Sequence, residues 1–224
     1  MRCVFLNANK AEQTTIDVGE LGSKRINETL KSPDLTEKRV NLANPGSSHF
    51  LAAGLRKKVE ISISGSIGYY LGTCMGGPEI RVKGNAGWYP GDNQTSGKIF
   101  IEGSAGDGAG QGLYGGDVVI AGNCGSRTGQ LMKNGTVIVG GDAGFMAGLY
   151  ALGGRIVILG DAGDKTGESI HGGTIYVGGV VSSLGQDATM KEAKPDELQG
   201  INEILEDYNL ETANSLKKIG PAGN

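Results

Sequence analysis

The chain has 224 residues, with 41 glycines, 6 prolines, 38% hydrophobic residues and a formal net charge of −3. This composition is too apolar and too weakly charged for an unfolded chain, and the scattered lysines and arginines form no basic patch for nucleic acid. No apolar run reaches the ~20 residues that cross a bilayer, and the N-terminus lacks the apolar core of a signal peptide. We therefore expect a cytoplasmic protein without a membrane segment.

An N-terminal cap is predicted over residues 1–42. The segment TIDV, residues 15–18, has the alternation of a short strand. A helix follows in SKRINETLK, with Ser23 as its N-cap and with Ile26 and Leu30 on one face. The segment RVNL, residues 39–42, could add a strand to an early turn of the structure that comes next.

Residues 43–186 contain a repeat of 19 residues. A glycine recurs at Gly65 and at every nineteenth residue up to Gly179. Counted from these glycines, positions 16 and 18 are always Ile or Val, which is typical of a strand, and position 3 is small or apolar. Positions 4 and 8 are also glycine in six consecutive repeats, which gives Gly68, Gly72, Gly87, Gly91, Gly106, Gly110, Gly125, Gly129, Gly144, Gly148, Gly163 and Gly167.

A 19-residue unit cannot bury its own apolar face, so each unit must stack on its neighbours. The repeat thus predicts an all-β solenoid, a single-stranded parallel β-helix of about seven coils and about 34 Å in length. Glycine would supply positive φ at the corners and let adjacent coils approach closely. Gly46 begins a degenerate first coil, and the pattern is lost near residue 186.

A C-terminal helical tail is predicted over residues 187–224. In PDELQGINEILEDY, Pro195 begins a helix whose residues Leu198, Ile201, Leu205 and Tyr208 share one face. That face could lie on the last coil or on a partner. Helical caps at both ends would cover the exposed edges of the solenoid sheet.

Motifs for nucleotide binding and hydrolysis are incomplete. GDAGDKTG has Asp164 where a phosphate loop needs its second glycine, so Lys165 and Thr166 are interpreted as corner residues. The segment GESIH, which contains Ser169 and His171, lacks the last glycine of a nucleophile elbow. His49 is the only other histidine.

Two further kinds of chemistry are open to this chain. Asp142 and Asp161 share position 2 of adjacent repeats, about the separation of a glycosidase carboxylate pair, although Ser or Asn at the same position elsewhere favours a turn role. Cys124 falls in the small-residue row and is interpreted as a core residue. Cys3, Cys74 and Cys124 do not have the spacing of metal ligands, so we predict no metal site. Because the motifs above are incomplete, we also predict no catalytic or cofactor-binding residues.

A partner surface is predicted where aromatic residues follow a corner glycine. Trp88 and Tyr89 should point outward, close to Tyr114 and Arg127 on neighbouring coils. Trp, Tyr and Arg are the residue types that dominate binding energy at protein interfaces. Packing of a loop over the coil would explain the same pattern.

The period, the glycine frame and the flanking helix with Ile26 and Asn27 resemble the GXGXG domain of the glutamate synthase large subunit, over about residues 15–205. This resemblance implies a right-handed β-helix and a non-catalytic scaffold subunit in ammonia-channelled glutamate synthesis and nitrogen metabolism. The implied partners are a subunit with FMN and an iron–sulfur cluster and a class II glutamine amidotransferase, and the isolated chain could also form a homo-oligomer. The structural subunit of formylmethanofuran dehydrogenase that carries the same repeat is the alternative, with a β-helix carbohydrate-active enzyme as the competing class.

Overall fold

The computed structural model describes residues 13–211 and 213–223. Within these residues it contains eleven strands in one sheet and two helices. In chain order they are β1 (Gln13–Asp17), α1 (Val18–Lys31), β2 (Arg39–Ala43), β3 (Glu60–Ser64), β4 (Gly76–Val82), β5 (Ser96–Ile101), β6 (Asp117–Ile120), β7 (Thr136–Val139), β8 (Leu152–Ile158), β9 (Gly172–Val177), β10 (Ala188–Glu192), α2 (Pro195–Asp207) and β11 (Lys217–Pro221).

The repeat builds a parallel β-solenoid of about seven coils, as predicted. Strands β1 to β9 lie side by side in chain order, and each pairs in parallel with the next. From β3 to β9 the strand positions align at the 19-residue period, as in Ile80 with Ile99 and Ile99 with Val118. The N-terminal strands β1 and β2 continue the same sheet, so the solenoid extends through the predicted cap.

The core lies inside the coils and follows the rows read from the repeat. Side chains at positions 16 and 18 are almost completely buried, including Ile99, Ile101, Val137 and Val139. The opposite wall is the position 3 row, whose residues form single parallel bridges from coil to coil: Ile67, Ala86, Ala105, Cys124, Ala143, Ala162 and Val181. Small side chains fit there because the two walls of the solenoid face each other across a narrow interior.

The glycines of the repeat have two different roles. At position 8 all six have φ between +64° and +76°, and at five of them a Cβ would collide with side chains of the core, as at Gly110 with Val137. At position 4 the φ is not positive, and glycine is needed because the previous coil is too close: a Cβ on Gly144 would lie 3.0 Å from the carbonyl carbon of Gly125. Positions 8 and 4 therefore need glycine for different reasons, whereas Gly135, at position 14, combines positive φ with close approach to neighbouring backbone.

Left-handed backbone also occurs where the sequence has no glycine. At position 6 five residues other than glycine have φ between +56° and +60°, namely Tyr70, Tyr89, Arg127, Met146 and Lys165. None of these five side chains is buried, so a Cβ is accommodated and only the intrinsic cost of this conformation, roughly 1–2 kcal/mol, remains. Position 10 behaves in the same way, as at Leu131 and Tyr150, so the repeat contains left-handed corners that the glycine pattern did not reveal.

Helix α2 lies along the outer face of the sheet, which resolves the choice left open by the sequence. Its four predicted face residues, Leu198, Ile201, Leu205 and Tyr208, pack against an outward row at position 17. In the coils that α2 covers, that row is apolar and consists of Phe100, Val119, Ile138, Val157 and Tyr176. The Tyr208 hydroxyl also donates a hydrogen bond to Asp117 at 2.8 Å.

The two ends of the solenoid are closed in different ways. Helix α1 covers the first end and inserts Ile26 and Leu30 into the core. It begins at Val18, earlier than predicted, because Asp17 rather than Ser23 is the N-cap and accepts a hydrogen bond from the Glu20 amide at 3.1 Å; the helix is kinked at Gly22.

At the other end β11 pairs antiparallel with β9, and β10 pairs antiparallel with β11. The C-terminal tail is therefore one helix between two strands.

Candidate functional site

Two stacks of aromatic rings stand side by side at one corner of the first coils. His49, Tyr69 and Trp88 form one stack, with ring centroids 4.6 and 4.7 Å apart. Phe50, Tyr70 and Tyr89 form the other, with centroids 4.9 and 5.0 Å apart. These distances match the coil spacing of a parallel sheet, so the backbone register alone brings the rings into contact.

We call these six residues the aromatic corner. Phe50 and Trp88 are each 49% exposed, and Tyr69 is 38% exposed. Because the faces of the rings stack on each other, the edges of the rings are exposed to solvent.

Glycines of the next coil end both stacks. A side chain at Gly106 would collide with the Trp88 ring, and one at Gly108 would collide with the Tyr89 ring. The coil that follows therefore passes close to the last rings. Beyond it, Arg127 lies at position 6, the row of Tyr89, and its guanidinium is 3.4 Å from Asp107 at position 5. Position 5 presents another exposed aromatic ring at Phe145.

The four predicted interface residues thus fall into two places. Trp88 and Tyr89 belong to the aromatic corner, and Arg127 continues its row two coils further along. Tyr114 lies at position 12 of its coil, where its ring is 4.5 Å from the Lys133 ammonium. The Tyr114 side chain is half exposed, and so are Leu131, at position 10 of the next coil, and Leu152, at position 12 of the coil after that. The sequence did not identify His49 and Phe50 as part of the corner.

The carboxylates of Asp142 and Asp161 belong to a ladder of side chains at position 2. The Asp142 carboxylate accepts a hydrogen bond from the Asp161 amide at 2.8 Å, and Asp161 accepts one from the Val180 amide at 2.6 Å. Ser66, Asn85, Ser104 and Asn123 make the same bond to the next coil. Each side chain here satisfies a backbone amide, as Asx-type turn residues do.

The other candidate nucleophiles and bases have structural contacts. The His171 Nδ1 lies 2.7 Å from the backbone oxygen of Ser169, so the ring bonds the main chain rather than the serine hydroxyl. His49 Nδ1 accepts a hydrogen bond from the Tyr69 amide at 2.8 Å. Burial raises the pKa of the Cys124 thiol to about 11, and the Thr128 hydroxyl lies 3.1 Å from its sulfur.

The corner residues of GDAGDKTG also contact the main chain. The buried Thr166 hydroxyl donates to the Gly163 oxygen at 2.9 Å, and the Lys165 amide bonds the Ser183 hydroxyl at 3.0 Å. Across residues 13–211 and 213–223, no group of three or more His, Cys, Asp or Glu residues could hold a metal ion. Neither helix of this part of the chain is long and apolar enough to cross a membrane.

Comparisons with known proteins agree with the repeat. The model of the GXGXG motif family matches residues 39–218, from β2 into β11. No curated protein matches the chain.

Among solved structures, a chain of the formyltransferase/hydrolase complex (FhcABCD) from Methylorubrum extorquens, determined in complex with methylofuran, is similar with a TM-score of 0.71 and 25% identity. The match covers 97% of this chain and 98% of that one. Since the family model covers most of the sequence, the chain belongs to the GXGXG motif family.

Proposed function

We propose that this chain is a non-catalytic scaffold subunit of a multi-subunit complex of the formyltransferase/hydrolase type. The observation that carries the proposal is the extent of the match: 97% of this chain aligns with 98% of one chain of such a complex. The correspondence therefore includes the solenoid and the elements that close it, not the repeat alone. A rigid solenoid of stacked coils suits a part that holds other subunits in a fixed arrangement.

The aromatic corner is the surface that we assign to a partner subunit. It presents Trp and Tyr edges beside an Arg–Asp pair, the residue types that dominate interface energy. The remaining chemistry of the chain supports a scaffold role, since the Asp142 and Asp161 carboxylates are bonded to backbone amides of the next coils. A carbohydrate-active enzyme would need that pair free to act as acid and nucleophile.

A scaffold subunit of a glutamate-synthase-like complex is the second candidate. It is favoured by the resemblance of the repeats and of the Ile26–Asn27 helix to the glutamate synthase domain. Under this alternative the partners would be an FMN and iron–sulfur subunit and a class II glutamine amidotransferase. Both candidates give this chain the same role and differ in the partners.

Purification of the tagged chain from its own cells, with its partners identified by mass spectrometry, tests the proposal. We expect subunits of a formyltransferase/hydrolase complex, whereas a flavoprotein synthase with an amidotransferase would establish the second candidate instead. The double variant Trp88→Ser/Tyr89→Ser should lose the partners, and Leu152→Ser, at position 12, should keep them. Retention of all partners by a folded double variant would contradict the assignment of the aromatic corner.

A further inference from the structure

A small polar pocket opens on the outer face of the sheet beside α2, away from the aromatic corner. Its volume is about 330 Å³, and its polar lining comes from Asn134, Thr136, Arg155, Thr174 and Tyr176. Thr136, Arg155 and Thr174 are direct neighbours on β7, β8 and β9, because the register pairs Thr136 with Arg155 and Arg155 with Thr174. A guanidinium thus stands between two threonines.

The charge of Arg155 is not balanced by the protein around it. The Nε atom is shielded from solvent and has no hydrogen-bond partner among the described residues. Other charged residues of the same outward row are engaged: Arg39 bonds Glu60 at 2.9 Å, and Asp117 accepts from Tyr208 at 2.8 Å. A half-buried cation with an unsatisfied donor carries a desolvation cost that an anion in contact with it would offset.

No carboxylate lines the pocket. Two acids adjoin its wall. Asp117 is the strand neighbour of Thr136 and accepts a hydrogen bond from the Tyr208 hydroxyl at 2.8 Å. Glu197 accepts a hydrogen bond from the Tyr176 hydroxyl at 3.3 Å and forms an ion pair with Lys218. That ion pair holds the pKa of Glu197 down at about 2, with the Lys218 hydrogen bond as the main cause. The Glu197 charge is therefore already neutralised, and Arg155 is the one charged side chain in the pocket lining.

Two glycines complete the wall of the pocket. Gly135 and Gly154 have φ of +87° and +83°, and a Cβ on either would run into neighbouring backbone. Glycine at these positions lets neighbouring coils pack closely beside the Thr–Arg–Thr row. A pocket of about 330 Å³ has room for an oxyanion of phosphate size next to the Arg155 side chain.

We propose that this pocket binds the phosphate or carboxylate group of a small molecule, with Arg155 as the anchor and Thr136, Thr174 and Asn134 as donors. A guanidinium presents a planar pair of N–H groups that matches such oxyanions. The inference does not depend on which complex the chain joins.

Isothermal titration of the full-length chain with inorganic phosphate, at constant ionic strength, tests the site. We expect saturable binding of one phosphate per chain. Arg155→Gln should weaken binding at least tenfold, and Arg155→Lys, which keeps the charge but loses the planar pair, should weaken it less. Arg39→Gln removes an arginine from the same row and should bind as the wild type does.

Two results would overturn the proposal. One is the absence of saturable phosphate binding, or binding that Arg155→Gln leaves unchanged while the variant melts as the wild type does. The other result is that phosphate does not bind, while Arg155→Gln loses a co-purifying subunit that Arg39→Gln retains. The anion would then be a carboxylate of that subunit and not part of a small molecule.

Discussion

Two outward-facing apolar surfaces of the described residues differ in whether the chain itself covers them. On the outer face of the sheet, the row from Phe100 to Tyr176 lies under α2, and its members are at most 7% exposed. At the aromatic corner, Phe50 and Trp88 remain 49% exposed. The surface under α2 is therefore structural, whereas the exposed aromatic corner is a candidate binding surface.

The two surfaces also differ in how they are stabilised. The row under α2 depends on burial against side chains from distant sequence, such as Leu205 and Tyr208. The aromatic corner depends on contacts between neighbouring coils, where each ring stacks on the next. We therefore expect the isolated chain to be sensitive to substitutions under α2 and tolerant of polar substitutions on the exposed corner row.

Placing one carboxylate under α2 and another at Phe145, which lies in the same position 5 row as Trp88 of the aromatic corner, should give the largest difference. Val119, completely buried under α2, changed to Asp would bury a charge without a partner and should lower the free energy of unfolding by about 3–5 kcal/mol. Phe145, 42% exposed at position 5, changed to Asp should cost less than about 1 kcal/mol. Urea denaturation of both variants measures the difference. Equal losses would mean that the two surfaces are equally buried in solution.

The backbone of a single coil allows a second, smaller comparison. Met146 and Gly148 both have left-handed φ, +59° and +74°, but a Cβ at Gly148 would point at Ile175 in the core. Gly148→Ala should therefore destabilise by about 2–4 kcal/mol, from strain and overpacking together. Met146→Gly, on the corner side, should stay within about 1 kcal/mol of the wild type because it relieves strain. Thermal melts of the pair test this, and a harmless Gly148→Ala would show that glycine is not required at position 8.

The solenoid was predictable because its information is local and repeated. Fixed glycines and Ile or Val at positions 16 and 18 specify a coil, and identical coils have few other ways to bury their apolar face. Position 17 carries a further signal, since strands such as β6 and β7 read as unbroken apolar runs. Such runs are typical of strands buried on both faces. This pattern would have predicted that a helix covers the outer face.

The ends of the chain were harder to predict because their pairing is not local. Ile219 lies beside Ile175 in the sheet, although 44 residues separate them in sequence. Nothing in the short segment KKIGP distinguishes an antiparallel closing strand from a loop.

At the candidate interface, Trp88 and Tyr89 were predicted to face outward, as they do. His49 and Phe50 were missed because they precede Tyr69 and Tyr70 by 20 residues rather than 19, in a coil that lacks the glycine frame.

The smallest expected effect concerns the contact that fastens the start of α2 to the sheet. Glu197 and Lys218, each with a side chain 21% exposed, form an ion pair beside Tyr176. Glu197→Gln keeps a side chain that can accept the Lys194 amide at the helix start but removes the charge. At pH 7 we expect a loss of about 1 kcal/mol, since partly exposed ion pairs contribute at most about that much.

The pH dependence of that loss identifies its cause. The pKa of Glu197 is lowered from 4.5 to about 2 in the folded chain, so its contribution is complete above about pH 5 and disappears as the pH falls toward 2. The wild type should therefore lose its advantage over Glu197→Gln in melts between pH 5 and pH 2, and the two should become equally stable. Lys218→Gln should remove the same increment, and the double variant should lose no more than either single one. A difference between wild type and Glu197→Gln that stays constant down to pH 2 would assign the effect to the helix cap, and the outer face would then be held by apolar contacts and the Tyr208–Asp117 hydrogen bond without help from this ion pair.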